Sequence, residues 1–478
     1  MDYEKYLELN EQEMIESLQS VLRAKSEEAP AVMTKDGEVY PFGEGVQEAL
    51  VKTLELGKKM GFETLNVDNY GGHIDFTGKS GKVMAIIGHL DVVPAGDGWD
   101  FDPYGAEVKD GKIFGRGTAD DKGPVISCLY AMKALKDAGY EPEHTIRIIL
   151  GCDEETGWKG MDYYLERVER PDFGFTPDAD FPVINGEMGI VIFDIAKKFG
   201  KSQVKGLQLR SVKGGNAPNS VAPQCRAVLN SPDAKIYASI KEKAAAYKEK
   251  TGYSIKCKGV GKSLEVTTAG VSAHGAKPHL GLNAISIMME FLGQLNFVNE
   301  YHNEFIQFYN EYIGFNLHGE GMDIPLEDEP SGKLMFNVGM IDVNEEAGKL
   351  TINVRYPVTN TLDDVYGPME RILNKYDMGL IKGTHRKPIY RSLDNPLVKL
   401  MVDVYQKHTG DTESEAMVIG GGTYARCTDN IIAYGALFPG DPDLMHQKNE
   451  CITVERFRQM TKIYAEVIYK LSQGDYNI

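Results

Sequence analysis

The apolar positions in the first part of the chain alternate between helical spacing and short continuous runs. Helical spacing predicts helices over 2–25 and 44–60. The runs VMAIIGHLDVV, from Val83, and TIRIILGCDEE, from Thr145, end in polar residues and predict buried strands. A helix is predicted over 124–138 between them, and another after the second strand. This order of elements predicts an α/β fold with a largely parallel central sheet flanked by helices.

From residue 186 the apolar positions change to the alternation expected of strands with one buried face, as in IVIFDIAKKF (190–199). Two further strands are predicted at 264–268 and 349–356. Helical spacing occurs at 233–250 and 281–296. The middle of the chain therefore predicts an α+β region.

Beyond about residue 385 the pattern of the first part returns. It predicts a helix, a glycine-rich turn, a strand in AYGALFPG and a final helix, at 396–408, 420–422, 433–440 and 453–473. The simplest organisation is one α/β domain built from both ends of the chain, with an α+β domain inserted. We expect the boundaries 1–185, 186–385 and 386–478, and the insertion is long enough for two subdomains.

Length and charge narrow the classes of protein. A chain of 478 residues exceeds what one hydrophobic core usually organises, so two or three domains are expected. Asp and Glu number 70 against 52 Lys and Arg, a formal charge of -18. This surplus argues against nucleic acid or an anionic membrane as a partner, because both attract basic surfaces.

The cysteines and the start of the chain bear on its location. The six cysteines are scattered, without a CxxC pair, which argues against a disulfide framework and a thiolate zinc site. The start, MDYEKYLELNEQEMIESL, has no basic region followed by an apolar run. No stretch approaches the ~20 apolar residues of a membrane span. We expect a cytoplasmic protein.

Polar segments follow the predicted strands at several points. Together they contain His89 and Asp91 in HLDVVP, Asp120 and Asp121 in GRGTADDKGP, Glu154 and Glu155 in CDEETG, Asp178 in TPDADFP, and His446 in DPDLMHQKNE. Imidazole and carboxylate together, without thiolate, suit zinc, manganese or cobalt in a hydrolytic site. Asp91 can reach the imidazole of His89, since residues i and i+2 of a strand point the same way.

Each of these residues also has a purely structural interpretation. Asp120 could cap the helix that follows it, and Asp178 could be an ordinary turn residue after Pro177. Their joint position at predicted strand ends favours a metal site, because ligands of parallel sheets bind at the carboxyl ends of the strands.

Two nucleotide-binding motifs are incomplete. GVGKS at 259–263 would need glycine at position 256 to form a phosphate-binding loop, and Lys256 stands there. GRGTAD at 115–120 lacks the last glycine of a dinucleotide fingerprint. The sequence therefore does not predict nucleotide binding.

Several segments resemble the M20 family of co-catalytic metallopeptidases, and within it the PepV-type dipeptidases. The matching stretches run in the family's order over nearly the whole chain: HLDVVPAGDGW (89–99), GRGTADDKGP (115–124), DEETGW (153–158), TPDADFPVINGE (176–187), GVSAHGAKP (270–278), GGTYAR (421–426) and FPGDPDLMHQKNE (438–450). The resemblance implies a zinc-peptidase-like catalytic domain with an inserted lid, and two divalent ions per chain, zinc first, with manganese or cobalt as alternatives.

The resemblance also implies roles for the polar residues. His89 and Asp178 would hold one metal ion, Glu155 and His446 the other, and Asp120 would bridge them. Glu154 would be the general base. Asp91 would orient His89.

Residues of the insertion and of the last segment would bind the substrate. His274 would stabilise the oxyanion from the lid, although it could also only line a turn. Asn219 would contact the substrate, and Arg355 would pair with its carboxylate. Gly421, Gly422 and Thr423 resemble the family's carboxylate-binding loop, for which a tight turn is the plain alternative.

The resemblance implies a dipeptidase that acts on unblocked dipeptides. Because the insertion is unusually long, we expect one of its subdomains to take the place of a partner subunit, so that the enzyme is a monomer with a self-contained lid. An N-acyl-amino-acid deacylase is the first alternative, since the same scaffold serves such enzymes. A non-catalytic binding protein is the second, which the presence of Glu154 and all five ligand positions disfavours.

Overall fold

The computed structural model describes residues 2–202, 204–233, 235–474 and 476. The chain forms two compact units. Unit 1 contains the residues up to Asn185, Arg391–Met417, and the residues from Gly422 onward. Unit 2 contains Gly186–Tyr390 and Val418–Gly421.

Ten α-helices occur in the described part of the chain. They are α1 (Glu4–Leu22), α2 (Glu44–Lys59), α3 (Lys122–Asp137), α4 (Lys159–Leu165), α5 (Lys235–Thr251), α6 (Ala284–Leu292), α7 (Glu300–Phe308), α8 (Leu362–Lys375), α9 (Pro396–Thr409) and α10 (Val454–Leu471).

The strands of the described residues fall into two large sheets, one three-stranded sheet and three short pairs. They are β1 (Val32–Met33), β2 (Val39–Tyr40), β3 (Glu63–Val67), β4 (Gly71–Phe76), β5 (Val83–His89), β6 (Glu107–Lys109), β7 (Lys112–Phe114), β8 (Thr145–Gly151), β9 (Phe173–Thr176), β10 (Ala179–Asp180), β11 (Ile184–Glu187), β12 (Gly189–Lys198), β13 (Gln208–Gly214), β14 (Gln224–Asn230), β15 (Ser254–Val260), β16 (Ser263–Ala269), β17 (Glu327–Asp328), β18 (Gly332–Lys333), β19 (Met335–Val343), β20 (Ala347–Tyr356), β21 (Gly379–Arg386), β22 (Ile389–Tyr390), β23 (Met417–Ile419), β24 (Ile431–Ala433), β25 (Ala436–Leu437) and β26 (Cys451–Thr453).

The sheet of unit 1 has the strand order β11-β24-β9-β5-β8-β4-β3. The four central strands, β24, β9, β5 and β8, are parallel to one another, and β4 and β3 continue the sheet antiparallel. Every residue of β5 is buried, as expected of a strand covered on both faces. Helices α1, α3 and α10 pack together and share one apolar core with the strands.

One predicted strand is wrong in its extent. The run AYGALFPG forms no single strand, because β24 ends at Ala433 and β25 covers only Ala436–Leu437. Gly435 between them has a φ of 77°, and a Cβ there would lie 2.4 Å from the ring of Phe181. The chain therefore changes direction at Gly435, so that β24 pairs with β9 and β25 with β10.

The sheet of unit 2 is antiparallel and has the strand order β15-β16-β14-β13-β19-β20-β12-β21. Helices α5 and α6 pack on the half that contains β14, β15 and β16. Helix α8 packs on the other half, against β21. The pairing of β13 with β19, with Val212 opposite Val343, joins the two halves into one sheet.

The predicted fold class, α/β with a second α+β part, is confirmed. In unit 1, buried apolar runs became parallel strands and amphipathic stretches became helices. Among the described residues, no helix combines the length and apolarity that a membrane crossing requires.

Candidate metal centre

The acidic and histidine residues of unit 1 converge where its parallel strands end. His89 is the last residue of β5, Glu154 and Glu155 follow β8, and Asp178 follows β9. Because β8 and β9 flank β5 in parallel, their carboxyl ends lie side by side. Asp120 joins this group from the residues just before α3.

Asp120 lies between two imidazoles. Its Oδ1 is 3.0 Å from Nε2 of His89, and its Oδ2 is 3.0 Å from Nε2 of His446. The side chain of His89 is 1% exposed, so this contact is removed from solvent. Each oxygen of one carboxylate therefore faces a different histidine.

A further carboxylate accompanies each histidine. Oε1 of Glu155 lies 3.0 Å from Nε2 of His446, and Oδ2 of Asp178 lies 3.7 Å from Nε2 of His89. Glu154 offers an oxygen within 4.8 Å of ligand atoms of His89 and Asp178. The site thus consists of two histidine–carboxylate groups that share Asp120.

The other ring nitrogen of His89 faces Asp91. Nδ1 lies 2.9 Å from the backbone oxygen of Asp91 and 3.5 Å from its Oδ1. A carbonyl oxygen only accepts hydrogen bonds, so Nδ1 carries a hydrogen, and Nε2 is the ring nitrogen that faces Asp120 and Asp178. The Asp91 carboxylate accepts the backbone N–H of Glu155 at 3.0 Å, and it thereby connects β5 to the loop after β8.

The carboxylates control the charge of both histidines. Burial favours neutral His89, but hydrogen bonding to Asp120 and Asp178 outweighs it and raises the pKa well above the ordinary value. Burial likewise opposes the charged form of His446, while Asp120 and Glu155 raise its pKa to about 11. Both imidazoles therefore lie where a positive charge is strongly favoured.

The carboxylates repel one another in the same space. Burial, and then the charge of Asp120, raises the pKa of Glu155 to about 7 and that of Asp178 to about 6. Burial and the charge of Asp178 raise the pKa of Glu154 well above its usual range. For Asp120, the two histidines outweigh burial and lower the pKa. This cluster therefore lacks positive charge to balance its carboxylates.

The donor set fits divalent cations. Oδ1 of Asp91 and Oδ1 of Asp121 are buried and have no hydrogen-bond partner, a further sign of excess negative charge. Neutral imidazole with carboxylate oxygens is a set that zinc, manganese and cobalt accept. Cations between these groups would relieve the repulsion.

A tight turn after β8 holds the two adjacent glutamates. The carbonyl of Asp153 accepts the N–H groups of Gly157 and Trp158, at 3.2 and 3.0 Å, and its carboxylate accepts the N–H of Gly160 at 3.0 Å. The indole N–H of Trp158 donates to the backbone oxygen of Glu154 at 2.7 Å. These bonds fix the backbone from which both carboxylates project.

His274 and Asn219 belong to unit 2 and are neighbours there. The N–H of Gly275 donates to the carbonyl of Asn219 at 2.7 Å, and Ser220 forms an isolated antiparallel bridge with His274. The backbone N–H of Ala276 donates to Nδ1 of His274 at 3.3 Å. The structure brings these two predicted residues together on adjoining loops.

Arg355 lies on β20 in the same unit and is 5% exposed. Its Nε donates to Oδ1 of Asn353 at 3.0 Å. Asn337, opposite Asn353 on β19, donates to the carbonyls of Pro218 and Ser220 on the loop of Asn219. Arg355 and the residue that binds this loop therefore lie on neighbouring strands of one sheet.

The predicted carboxylate-binding loop spans a point in the sequence where the chain passes from unit 2 to unit 1. Gly421 ends the returning segment of unit 2, whereas Gly422 and Thr423 begin the last segment of unit 1. The hydroxyl of Thr423 accepts the N–H of Ala425 at 3.1 Å and caps the short helical turn Tyr424–Arg426. The cap gives Thr423 a structural role in addition to the predicted one.

Sequence reasoning named Asp121 without giving it a role and did not single out Tyr424 or Glu450, although all three support this site. Asp121 accepts the backbone N–H of His89 at 3.1 Å, and it fits because Gly88 has no Cβ, which would lie 2.6 Å from its Oδ2. The ring of Tyr424 meets that of His89 edge-on at 6.4 Å. Glu450 binds the loop before Asp120. All three residues lie within the family motifs quoted above, which was the only sign of them in the sequence. Their contacts could not be predicted, because they depend on how the chain folds.

Histidine and carboxylate side chains grouped at the carboxyl ends of parallel strands are typical of metal-dependent hydrolases of the α/β class. The chain belongs to peptidase family M20/M25/M40, whose model matches residues 85–470. The resemblance seen in the sequence is thereby confirmed.

Two relatives align over nearly their whole length. A Bacillus subtilis (strain 168) protein with the provisional name dipeptidase YtjP is 36% identical over 479 residues, which cover 99% of this chain and 100% of the relative. The Beta-Ala-Xaa dipeptidase of Lactobacillus delbrueckii subsp. lactis is 36% identical over 482 residues, or 98% of this chain and 100% of the relative. Among solved structures, human carnosine dipeptidase 1 is similar in fold, with a TM-score of 0.56 at 15% identity and coverage of 98% and 99%.

Proposed function

We propose that this protein is a metal-dependent dipeptidase that hydrolyses the peptide bond of unblocked dipeptides with two metal ions. The observation that carries the proposal is the shared carboxylate of Asp120, whose oxygens face His89 and His446 at 3.0 Å each. The dipeptidase name of the Lactobacillus relative, similar over the full length, supports the choice of substrate.

In this proposal His89 and Asp178 would hold one ion, Glu155 and His446 would hold the other, and Asp120 would be shared by both. The contacts of His446 support its pairing with Glu155, and the position of Asp178 beside His89 supports the other pair. Asp91 keeps Nδ1 of His89 protonated through its backbone oxygen, so that Nε2 is available as a ligand. Zinc suits these ligands, and so do manganese and cobalt.

The bound ions would supply Lewis-acid stabilisation of the substrate carbonyl and would acidify water. Glu154 accepts a proton from the attacking water, and the water oxygen then bonds to the carbonyl carbon. Glu154 then delivers that proton to the amide nitrogen as the carbon–nitrogen bond breaks. Its raised pKa suits a group that must both take up and release a proton.

Residues outside the metal set would bind the remaining parts of the substrate. His274 would donate a hydrogen bond to the carbonyl oxygen as negative charge develops there. Asn219, its neighbour in unit 2, would contact the substrate, and Arg355 would pair with the terminal carboxylate together with the N–H groups of Gly421, Gly422 and Thr423. In this proposal His274 is supplied by unit 2, whereas the residues that would hold the metal ions belong to unit 1.

We further propose that the protein acts as a cytoplasmic monomer whose unit 2 serves as its own lid. The two joined halves of the unit 2 sheet support this idea, because β13 and β19 pair within a single chain. A sheet completed in this way needs no second subunit at that edge.

Metal removal is the direct test. Exhaustive chelation should abolish hydrolysis of a dipeptide such as Ala-His, and zinc, manganese or cobalt should restore it. Asp120→Ala should remove most activity and lower the metal-to-protein ratio, because it deletes the ligand shared by both ions. The control is Asp137→Ala, an exposed carboxylate at the end of α3 that pairs with Lys133. Full activity in the chelated protein would exclude the two-metal mechanism.

A further inference from the structure

Glu450 is a fully buried carboxylate just before β26. Its Oε2 accepts a hydrogen bond from Nη1 of Arg116 at 2.6 Å. Its Oε1 accepts the backbone N–H groups of Gly117 and Ala119 at 3.0 and 2.8 Å, with the hydroxyl of Thr118 at 3.5 Å. All of these donors lie in the few residues that precede Asp120 in the chain.

The backbone of Glu450 adds to this attachment. Its carbonyl accepts the N–H of Gly115 at 3.0 Å, and the next residue, Cys451, pairs with Phe114 in the short β26–β7 ladder. Glu450 is also only four residues beyond His446. One residue therefore connects the backbone that carries Asp120 to the segment that carries His446.

The cation of this pair is as deeply buried as the anion. Arg116 is 2% exposed, and its guanidinium lies 5.3 Å from the ring centroid of Trp99. Its Nε has no hydrogen-bond partner. A buried ion pair adds little net stability compared with well-packed apolar side chains, since both charges must be desolvated. A gain in fold stability is therefore a weak explanation for this buried ion pair. The hydrogen bonds of Glu450 go to residues just before Asp120, which indicates a role in positioning Asp120 instead.

We propose that Glu450 is a positioning residue for the metal centre. It fixes the loop before Asp120 against the segment of His446, and so holds the shared carboxylate and the second histidine at the spacing that the ions require. This inference rests on the proposed metal-binding roles of Asp120 and His446. Its consequence is that metal affinity depends on a carboxylate that is not itself among the ligands.

Glu450→Gln tests the proposal with a small change of shape. The amide oxygen can still accept the N–H groups of Gly117 and Ala119, but an NH₂ group replaces the acceptor of Arg116. Competition with a chelator of known affinity should show that zinc binds about 10–100-fold more weakly, the range found when outer-shell partners of metal ligands are changed. The visible absorption spectrum of the cobalt-loaded variant should also differ from that of the wild type, because ligand geometry changes.

Asp75→Asn is the matched control. Asp75 on β4 accepts two hydrogen bonds from Arg147 on β8, at 2.9 and 2.7 Å, and both side chains are 12% exposed. This ion pair also lies in unit 1, but its hydrogen bonds are not to the loops that carry the metal ligands. The control should lower the melting temperature of the chelated protein while wild-type zinc affinity and the cobalt spectrum are retained.

The outcomes separate this inference from the proposed function. If the wild-type protein binds no metal, the proposed function fails. If the wild type binds metal and Glu450→Gln binds it equally well, only the positioning role is overturned. Equal losses of affinity in Glu450→Gln and Asp75→Asn would overturn it too, because general destabilisation would then explain both.

Arg116→Lys covers the case in which Glu450→Gln does not fold. Lysine keeps a positive charge beside the carboxylate but lacks the planar fork of arginine. Zinc affinity should fall several-fold, with a changed cobalt spectrum. Wild-type affinity and spectrum in this variant would overturn the positioning role.

Discussion

Adjacent residues of the same type have different contacts in the proposed site. Glu155 contacts His446 through Oε1, whereas the backbone carbonyl of Glu154 accepts the indole N–H of Trp158. The side chain of Glu154 comes near His89 and Asp178 without forming a direct contact as short as that of Glu155. This difference supports the proposed roles of Glu154 as the general base and of Glu155 as a metal ligand.

Glu154→Gln should separate the two roles. The amide keeps the shape of the side chain but cannot carry the proton, so kcat should fall by roughly 10²–10⁴-fold with two metal ions still bound. Steady-state rates and elemental analysis of the same preparation measure both quantities. Glu155→Gln is the matched variant, and it should lose metal as well as activity. Retained activity together with lost metal in Glu154→Gln would reverse the two assignments.

Some residues of the site could be predicted from the sequence and others could not. His89, Glu155 and Asp178 follow apolar runs at strand ends, so local pattern and parallel topology suffice to bring them together. His446 and Glu450 lie beyond the predicted strand AYGALFPG, which does not form as a single strand, and their contacts with Asp120 and Ala119 join positions more than 300 residues apart. The sequence singled out His446 among the polar residues, but only the family resemblance gave it a role, and nothing local identified Glu450.

At the scale of elements, strands with two buried faces were the most predictable. β5 and β8 were recognised from continuous apolar residues, because such runs are needed where helices cover both faces. The β3–β4 hairpin, with its turn near Asp68 and Asn69, was not predicted, since β3 is mostly exposed and its pattern is weak. The same sheet thus has a predictable centre and a less predictable edge.

Strand β4 also carries a buried histidine that should make stability depend on pH. Burial lowers the pKa of His73 to about 4, Asp75 opposes the shift, and Nδ1 lies 2.7 Å from the hydroxyl of Tyr164. Between pH 6.5 and 4 the unfolded chain binds a proton at this position that the folded chain does not. Acidification through that interval should therefore destabilise the fold, by at most about 1.4 kcal/mol per pH unit from this residue.

His73→Gln removes this component. Urea unfolding of the chelated wild type and variant, at several pH values from 7 to 4.5, gives the free energy of unfolding without a contribution from bound metal. The variant should lose less stability than the wild type as the pH falls. Parallel curves for the two proteins would mean that His73 titrates normally in the folded state.

At the scale of the whole molecule, the proposed substrate limits follow from charge. A site that reads the amine of a dipeptide at one end and its carboxylate at the other has a fixed length. Longer or blocked substrates would leave buried charged groups unpaired, which costs several kcal/mol. Ala-His should therefore be cleaved far faster than Ala-Ala-His or acetyl-Ala-His. Comparable rates on the acetylated compound would favour an N-acyl-amino-acid deacylase.

The same Ala-His assay, carried out on a mixture of two variants, tests whether each chain uses its own lid. His274→Ala and Asp120→Ala should each be inactive on Ala-His, and a mixture of them should stay inactive if each chain uses its own His274. Light scattering should give the mass of one chain. Recovered activity in the mixture, together with a dimer mass, would contradict the proposed monomer.

Unit 1 is built from both ends of the chain, and this has a consequence for protein synthesis. A growing chain presents His89, Asp120, Glu155 and Asp178 early, but His446 and Glu450 come from its last tenth. Until then the acidic residues have no second histidine, and β24 is missing beside β9. A chain that stops within unit 2 therefore lacks the second histidine of the proposed site and the carboxylate that holds the loop before Asp120.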